Sequence, residues 1–235
     1  MRIKFEKIKE FYEKGDIKSR EAIALLNIKF EKLFRTYSIF LDILKTEKNK
    51  NILDVGCGDG NLLKVAEDRG LLSFGVDISL SAIRTSQLIT KKSKTILARG
   101  ENLPFKEKFF DYITCLGSLE HFLDQKKALK ELKRVSRDDA KFCIMVPNIN
   151  FWGWRLEGKT GTGQVQEKLL DLNGWKKVIE KSGFSIVKTF KDKHPPKIFN
   201  TLSVIERILY EPLWYIVPLK LCPQFIFICK KSSDF

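Results

Sequence analysis

The chain has 235 residues, 43% of them hydrophobic and 31% charged, which describes one domain with additions and excludes fibrous and disordered classes. Lys and Arg exceed Asp and Glu by 43 to 29, a net charge of +14, divided as +5 over residues 1–50, +3 over 51–150 and +6 over 151–235, so no basic tail carries it. That balance favours acidic partners in general, and a solvated Lys-rich surface accounts for it. Five cysteines without a C-x-x-C pair, and only His121 and His194 as histidines, argue against a structural zinc site and fit reduced thiols in a cytoplasmic protein. The first residues are charged throughout and lack the apolar run of a secretory signal. The greasiest stretch, 198–229, is broken by Glu206, Arg207, Glu211, Lys220 and three prolines, and it offers no membrane-spanning segment.

In chain order, residues 1–48 read as helices, with Phe30, Leu33, Phe34, Tyr37 and Leu41 forming one apolar stripe at steps of three and four. A polar turn at 48–51 ends that region. Short apolar runs at 52–55, 73–77, 94–97, 112–116 and 141–147 then read as strands. Helical patterns lie between them at 61–68, 81–91 and 125–136. Strict alternation of strand and helix predicts parallel strands joined by right-handed crossovers, with helices on both faces. Residues 148–166, with Trp152, Trp154 and four glycines, read as a loop. A helix over 169–181, closed by Gly183, leads to a strand at 184–190, and a last strand follows at 224–230. The excursion between those two strands, about residues 192–223, is long for a connection inside a domain. Leu202, Ile205, Ile208 and Leu209 share one face within it and predict a helix.

The sharpest local feature is Leu53-Asp54-Val55-Gly56-Cys57-Gly58-Asp59-Gly60-Asn61-Leu62, a strand entering a glycine cluster and leaving as a helix. Such a turn lets a ligand approach main-chain N–H groups. The spacing is G-x-G-x-G, since Asn61 stands where the dinucleotide fingerprint of oxidoreductases has its third glycine. No Lys-[Ser/Thr] follows, which argues against a P-loop. Asp77 ends the second strand, where a carboxylate can accept from ribose hydroxyls.

With these residues the chain resembles the class I S-adenosylmethionine-dependent methyltransferases, the type 11 group in particular. The resemblance rests on LDVGCGDGNLL at 53–63, GVDIS at 75–79, ENLPF at 101–105, FDYITCLGSLEHF at 110–122 and VPN at 146–148, in that order and at the expected spacings. It implies an α/β, Rossmann-like, mostly parallel seven-stranded sheet with helices on both faces and an antiparallel last strand. The resemblance covers about residues 50–147 and fits the flanks loosely, and the chain divides into N-terminal helices (1–50), an S-adenosyl-L-methionine-binding core (51–150) and a C-terminal part (151–235) that completes the sheet, all in one structural domain. The apolar side chains of the 192–223 excursion read either as a substrate lid or as packing on the sheet. The resemblance implies cofactor binding by Asp54, Gly56, Cys57, Gly58, Asp77, Ile78, Gly100, Glu101, Asn102, Leu103 and Leu116. Gly56 and Gly58 would run beneath the methionine end with Asp54 steadying the loop, Asp77 would hold both ribose hydroxyls, Ile78 and Leu103 would sandwich the adenine, and Leu116 would lie near the methionine backbone. One position departs: where such enzymes carry an Asp that accepts from the adenine amino group, this chain has Arg99, which only donates. Arg99→Asp is therefore expected to leave cofactor affinity equal or better.

Methyl transfer from a sulfonium is mostly a matter of positioning, because the thioether leaves without a proton. A base is needed only for an acceptor with a proton to lose, and His121 is the weak catalytic candidate; the alternative is that Glu120 and His121 tie the loop after the fourth strand. His194 reads as a loop residue. Acceptor choice falls to the N-terminal helices, residues 152–166 and the 192–223 excursion, whose apolar side chains suit an apolar small-molecule acceptor or peripheral contact with a membrane surface. The expected function is methyl transfer to a small molecule. The alternatives are an RNA methyltransferase, for which no basic stripe with stacking aromatics is evident, and a catalytically silent nucleotide-binding relative.

Overall fold

The computed structural model describes residues 30–156, 167–192 and 216–232, and its centre is a seven-stranded sheet in the order β3-β2-β1-β4-β5-β7-β6. The strands are β1 (Asn51–Val55), β2 (Leu72–Asp77), β3 (Lys94–Leu97), β4 (Phe110–Leu116), β5 (Ser136–Pro147), β6 (Phe184–Lys191) and β7 (Gln224–Lys231). The pairs of β1 with β2 and β4, β2 with β3, and β4 with β5 are parallel, whereas β7 is antiparallel to both β5 and β6. The expected sheet with one reversed last strand is present.

The helices are α1 (Phe30–Leu44), α2 (Asn61–Asp68), α3 (Leu80–Ile89), α4 (Gln125–Val135), α5 (Gly153–Leu156) and α6 (Leu172–Lys181). Their starts follow local chemistry: Ser79 Oγ accepts from the Ala82 N–H (3.2 Å), Asp124 Oδ1 from Lys127 (2.9 Å) and Asp171 Oδ1 from Gly174 (2.7 Å), each satisfying an amide that the helix leaves unpaired. The turn before α2 instead needs Gly60, whose φ of 81° is left-handed.

Alternation along each strand divides the core in two. On one face Leu53, Val55, Ile113, Phe142, Ile144, Phe225 and Phe227 meet Leu129 and Leu132 of α4 and Trp175 and Ile179 of α6. On the other, Ile52, Tyr112, Cys143, Ile226 and Ile228 meet Phe40, Leu41 and Leu44 of α1 and Leu62 and Val65 of α2. Phe34, Tyr37 and Leu41 of the apolar stripe read on α1 thus form a docking face. Trp175 is fully buried, and its indole N–H donates to the Pro147 carbonyl at 2.8 Å, fixing α6 to the end of β5. Buried Asn148 draws the C-terminal segment in by donating to the carbonyls of Lys220 (2.9 Å) and Cys222 (2.7 Å).

Two readings are corrected. Residues 148–166 are not all loop, because α5 forms within them; its glycine sits where a side chain would strike the Phe151 ring. β4 and β5 begin two and five residues earlier than their apolar runs, because Phe110 pairs with Ser136 ahead of an irregularity that precedes the register of Tyr112 with Lys141. Residues 1–29, 157–166 and 193–215 lie outside the described residues, and with them His194 and the helix expected around 202–209. Among the described residues no helix is long and apolar enough to cross a membrane, and no group of His, Cys, Asp and Glu could hold a metal.

Candidate cofactor and acceptor site

Strand order reverses between β1 and β4, and ligands of open α/β sheets bind at the carboxyl ends of the strands beside such a switch. A cavity of about 230 Å³ opens there. Each strand contributes the residues that follow it: Gly56 and Gly58 after β1, Asp77, Ile78 and Ser79 at the end of β2, residues 98–101 after β3, and Leu116, Gly117, Ser118, His121, Phe122 and Leu123 after β4.

The glycine loop is fastened to β2 on two levels. The N–H groups of Gly56 and Cys57 both donate to the Val76 carbonyl (2.8 and 3.0 Å). The Gly58 N–H donates to Asp77 Oδ2 (2.9 Å), while Asp77 Oδ1 accepts from the Ser79 N–H (2.9 Å). The Asp77 carboxylate is therefore held at both oxygens by main chain at the cavity wall. A side chain at Gly56 would collide with Ser118, so the loops after β1 and β4 touch there. Gly58, at φ 51°, has open space where its Cβ would be, and the cavity begins at that point.

A second cavity, about 380 Å³, lies on the α1 side and shares Gly56, Gly58 and Leu116 with the first. Tyr37 and Phe40 of α1, Met145, Cys57 and Asn61 line it, together with Asp54, Asp59 and Asp192. Asp54 is 4% exposed and accepts from Thr114 Oγ1 at 2.7 Å. Burial pushes its pKa up to about 7, against the lowering effect of that hydrogen bond, and Asp77 adds a smaller upward push. Burial likewise raises the Tyr37 phenol, with the Asp54 charge next in effect.

Glu120 and His121 separate in role. His121 lines the first cavity, whereas Glu120 is 2% exposed, lies behind it, and has an oxygen (Oε1) 3.8 Å from His121 Nε2. Its other oxygen, Oε2, is buried without a hydrogen-bond partner among the described residues, and desolvation raises its pKa to about 8.

Of the residues expected at the cofactor, Gly56, Gly58, Asp77, Ile78, Gly100, Glu101 and Leu116 line the first cavity, and Asp54 and Cys57 line the second. Asn102 and Leu103 line neither. Asn102 is exposed; Leu103 is taken into the core, with its N–H given to Glu131 Oε2 (2.8 Å). Ala98, Phe122 and Leu123, which the sequence reading passed over, line the first cavity with Ile78. Tyr37, Asp59, Asn61, Met145 and Asp192 were also missed. Asp59 and Asn61 sit inside the glycine motif and were legible there, but Tyr37 looked like any other member of an apolar stripe.

The cradle at Gly58, the pinned Asp77 carboxylate and the switch-point position together fit a nucleoside carrying a short charged arm. Residues 28–189 match the family model described as a methyltransferase domain. The chain belongs to that family, and its fold and cofactor class are those of the class I S-adenosylmethionine-dependent methyltransferases. An uncharacterised protein of Methanocaldococcus jannaschii is 30% identical over 145 residues, covering 61% of this chain and 62% of the relative. The ubiquinone/menaquinone biosynthesis C-methyltransferase of Rickettsia bellii is 31% identical over 159 residues, covering 55% of this chain and 63% of that enzyme. This chain therefore spans less than two thirds of either relative. Phosphoethanolamine N-methyltransferase 2 of Haemonchus contortus, solved with S-adenosyl-L-methionine, shares the fold at a TM-score of 0.68 with 15% identity, covering 96% of this chain and 60% of that one.

Proposed function

We propose that this chain transfers a methyl group from S-adenosyl-L-methionine to a small-molecule acceptor with an apolar body. The observation that carries this reading is the adjacency of the two cavities, which share Gly56, Gly58 and Leu116 in their walls and so offer a nucleoside end and an acceptor end on either side of one loop. When bound, the cofactor would supply an activated methyl group on a sulfonium, a methyl electrophile whose leaving group is a neutral thioether. The rest is the work of this chain's residues. Asp77 would hold the ribose hydroxyls, Gly56 and Gly58 would leave room for the arm beside the loop, and Leu116 would bound it at the end of β4. Tyr37, Phe40 and Met145 exclude water from the acceptor side. Effective alignment of two reacting centres supplies several kcal/mol of barrier lowering, on the order of 7–11 in the best cases. His121 lines the first cavity and not the second, which opposes a direct part in deprotonating an acceptor held against Tyr37 and Met145.

The cavity volume is in the range of small-molecule sites. Its acidic members, Asp54, Asp59 and Asp192, oppose a phosphate backbone, which disfavours RNA as the acceptor despite the net charge of +14. A thermal-shift panel tests the cofactor reading, because a ligand that binds only the folded state raises the melting temperature. S-Adenosylmethionine and S-adenosylhomocysteine are expected to raise it and NAD to leave it unchanged, with Asp77→Ala abolishing both shifts. A shift with NAD alone would overturn the assignment.

A further inference from the structure

We infer that the outer end of the first cavity reads position 6 of a purine through the Arg99–Glu101 pair, and that this pair accommodates a 6-oxopurine nucleoside thioether as well as the 6-aminopurine one. The inference rests on the cofactor reading above. With the sugar at Asp77 and the arm running inward over Gly58 towards Leu116, the base is left for the β3 side. There Asp77 is the register partner of Leu97, and the Ala98 N–H donates to the Asp77 carbonyl at 2.9 Å. The residues just beyond β3 are therefore the next wall outward from the ribose site.

Two side chains give that wall its polarity. The Glu101 side chain is 8% exposed; its Oε1 accepts from the Leu123 N–H at 2.9 Å and its Oε2 lies 3.4 Å from Arg99 Nε. The Arg99 side chain is 37% exposed and lines the cavity together with Glu101. A turn with the Asn102 N–H donating to the Arg99 carbonyl (3.0 Å) sets the spacing of the pair around Gly100.

The two purine edges have opposite polarity. Adenine offers a donor at its 6-amino group and an acceptor at N1, whereas hypoxanthine offers an acceptor at O6 and a donor at N1–H. At position 6 itself a carboxylate accepts from the amino group and repels the oxo oxygen, and a guanidinium does the reverse. Standing together, Glu101 and Arg99 present an acceptor and donors on one wall, so either edge finds a complement. Unpaired buried polar groups are what normally make such sites selective, and the pair removes that penalty for the 6-oxo ligand.

Calorimetric titration with S-adenosylhomocysteine and S-inosylhomocysteine tests this on the full chain. The wild type is expected to bind both within about tenfold, a span corresponding to no more than one charge-assisted hydrogen bond. Arg99→Asp replaces donors by an acceptor, so it should hold or tighten the adenosine ligand while weakening the inosine ligand by about tenfold or more. Arg99→Ala should weaken the inosine ligand the more strongly of the two, and retained adenosine binding certifies that each variant is folded. A wild type that binds the adenosine ligand but rejects the inosine one by about a hundredfold, or Arg99 variants that shift both ligands equally, would overturn the inference alone. Failure to bind either thioether would overturn the cofactor reading, and this inference with it.

Discussion

Asp54 and Glu120 lie buried beside the cavities with pKa values raised to about 7 and about 8, in both cases chiefly by desolvation. Their reference values of 3.8 and 4.5 mean that the unfolded chain releases both protons in mild acid, while the folded chain keeps them to near neutrality. Between those limits the folded state binds more protons, so stability falls as pH rises, by about 1.4 kcal/mol per pH unit for each group. The contribution is fully present below about pH 4 and is lost by about pH 8. Calorimetric scans of the ligand-free protein at constant ionic strength should show the melting temperature declining from pH 5 to 8. Glu120→Gln should flatten that decline, because the amide has no proton to lose; an unchanged slope would show that Glu120 is ionised in the fold. Little of this was legible beforehand. Glu120 belongs to an ordinary-looking Glu-His pair, and only its packing behind His121 removes it from water.

At the scale of elements, the strands and most helices followed from pattern. Alternation in β1, with Ile52 to one core and Leu53 and Val55 to the other, is the signature of a strand covered on both faces. Less predictable was how the elements are tied together. Trp175 joins α6 to β5 by burial and by a hydrogen bond to Pro147. Trp175→Ala should cost about 3–5 kcal/mol in urea denaturation, as large buried aromatics do, while the affinity for S-adenosylhomocysteine in the folded protein stays within about twofold of wild type, since additivity holds for sites that share no partners. A large affinity loss would mean that α6 supports the cavity directly. Arg134 on α4 is a second tie. It bonds the carbonyls of Leu103 (3.0 Å) and Phe105 (2.8 Å) and pairs with Glu131, which is why Leu103 is drawn to the core and away from the base.

For the molecule as a whole, the sheet closes on β6 and β7, and the long connection between them returns almost to its starting point. The Asp192 N–H donates to the Gln224 carbonyl (3.1 Å), and Lys191 Nζ reaches the Val217 carbonyl (2.8 Å). Replacing residues 193–215 by a short Gly-Ser linker should therefore leave the sheet and S-adenosylhomocysteine binding intact. It should abolish methyl transfer to any acceptor identified for the wild type; turnover that survived the replacement would remove the lid from the reading of acceptor choice.

The sequence by itself determined the strand–helix alternation, the glycine turn and the carboxylate at the end of β2, because each depends on local periodicity, on backbone freedom at Gly56 and Gly58, or on a fixed place after a strand. Only the tertiary structure decided which residues face the cavities. Leu103 and Asn102 share the motif of Glu101, yet neither lines a cavity, and Tyr37 comes to the second cavity from a helix remote in sequence. The pairing of Arg99 with Glu101, two residues apart, was open to either geometry until the Leu123 N–H fixed the carboxylate. Burial and facing depend on contacts between distant segments, and no local pattern of residue types encodes those.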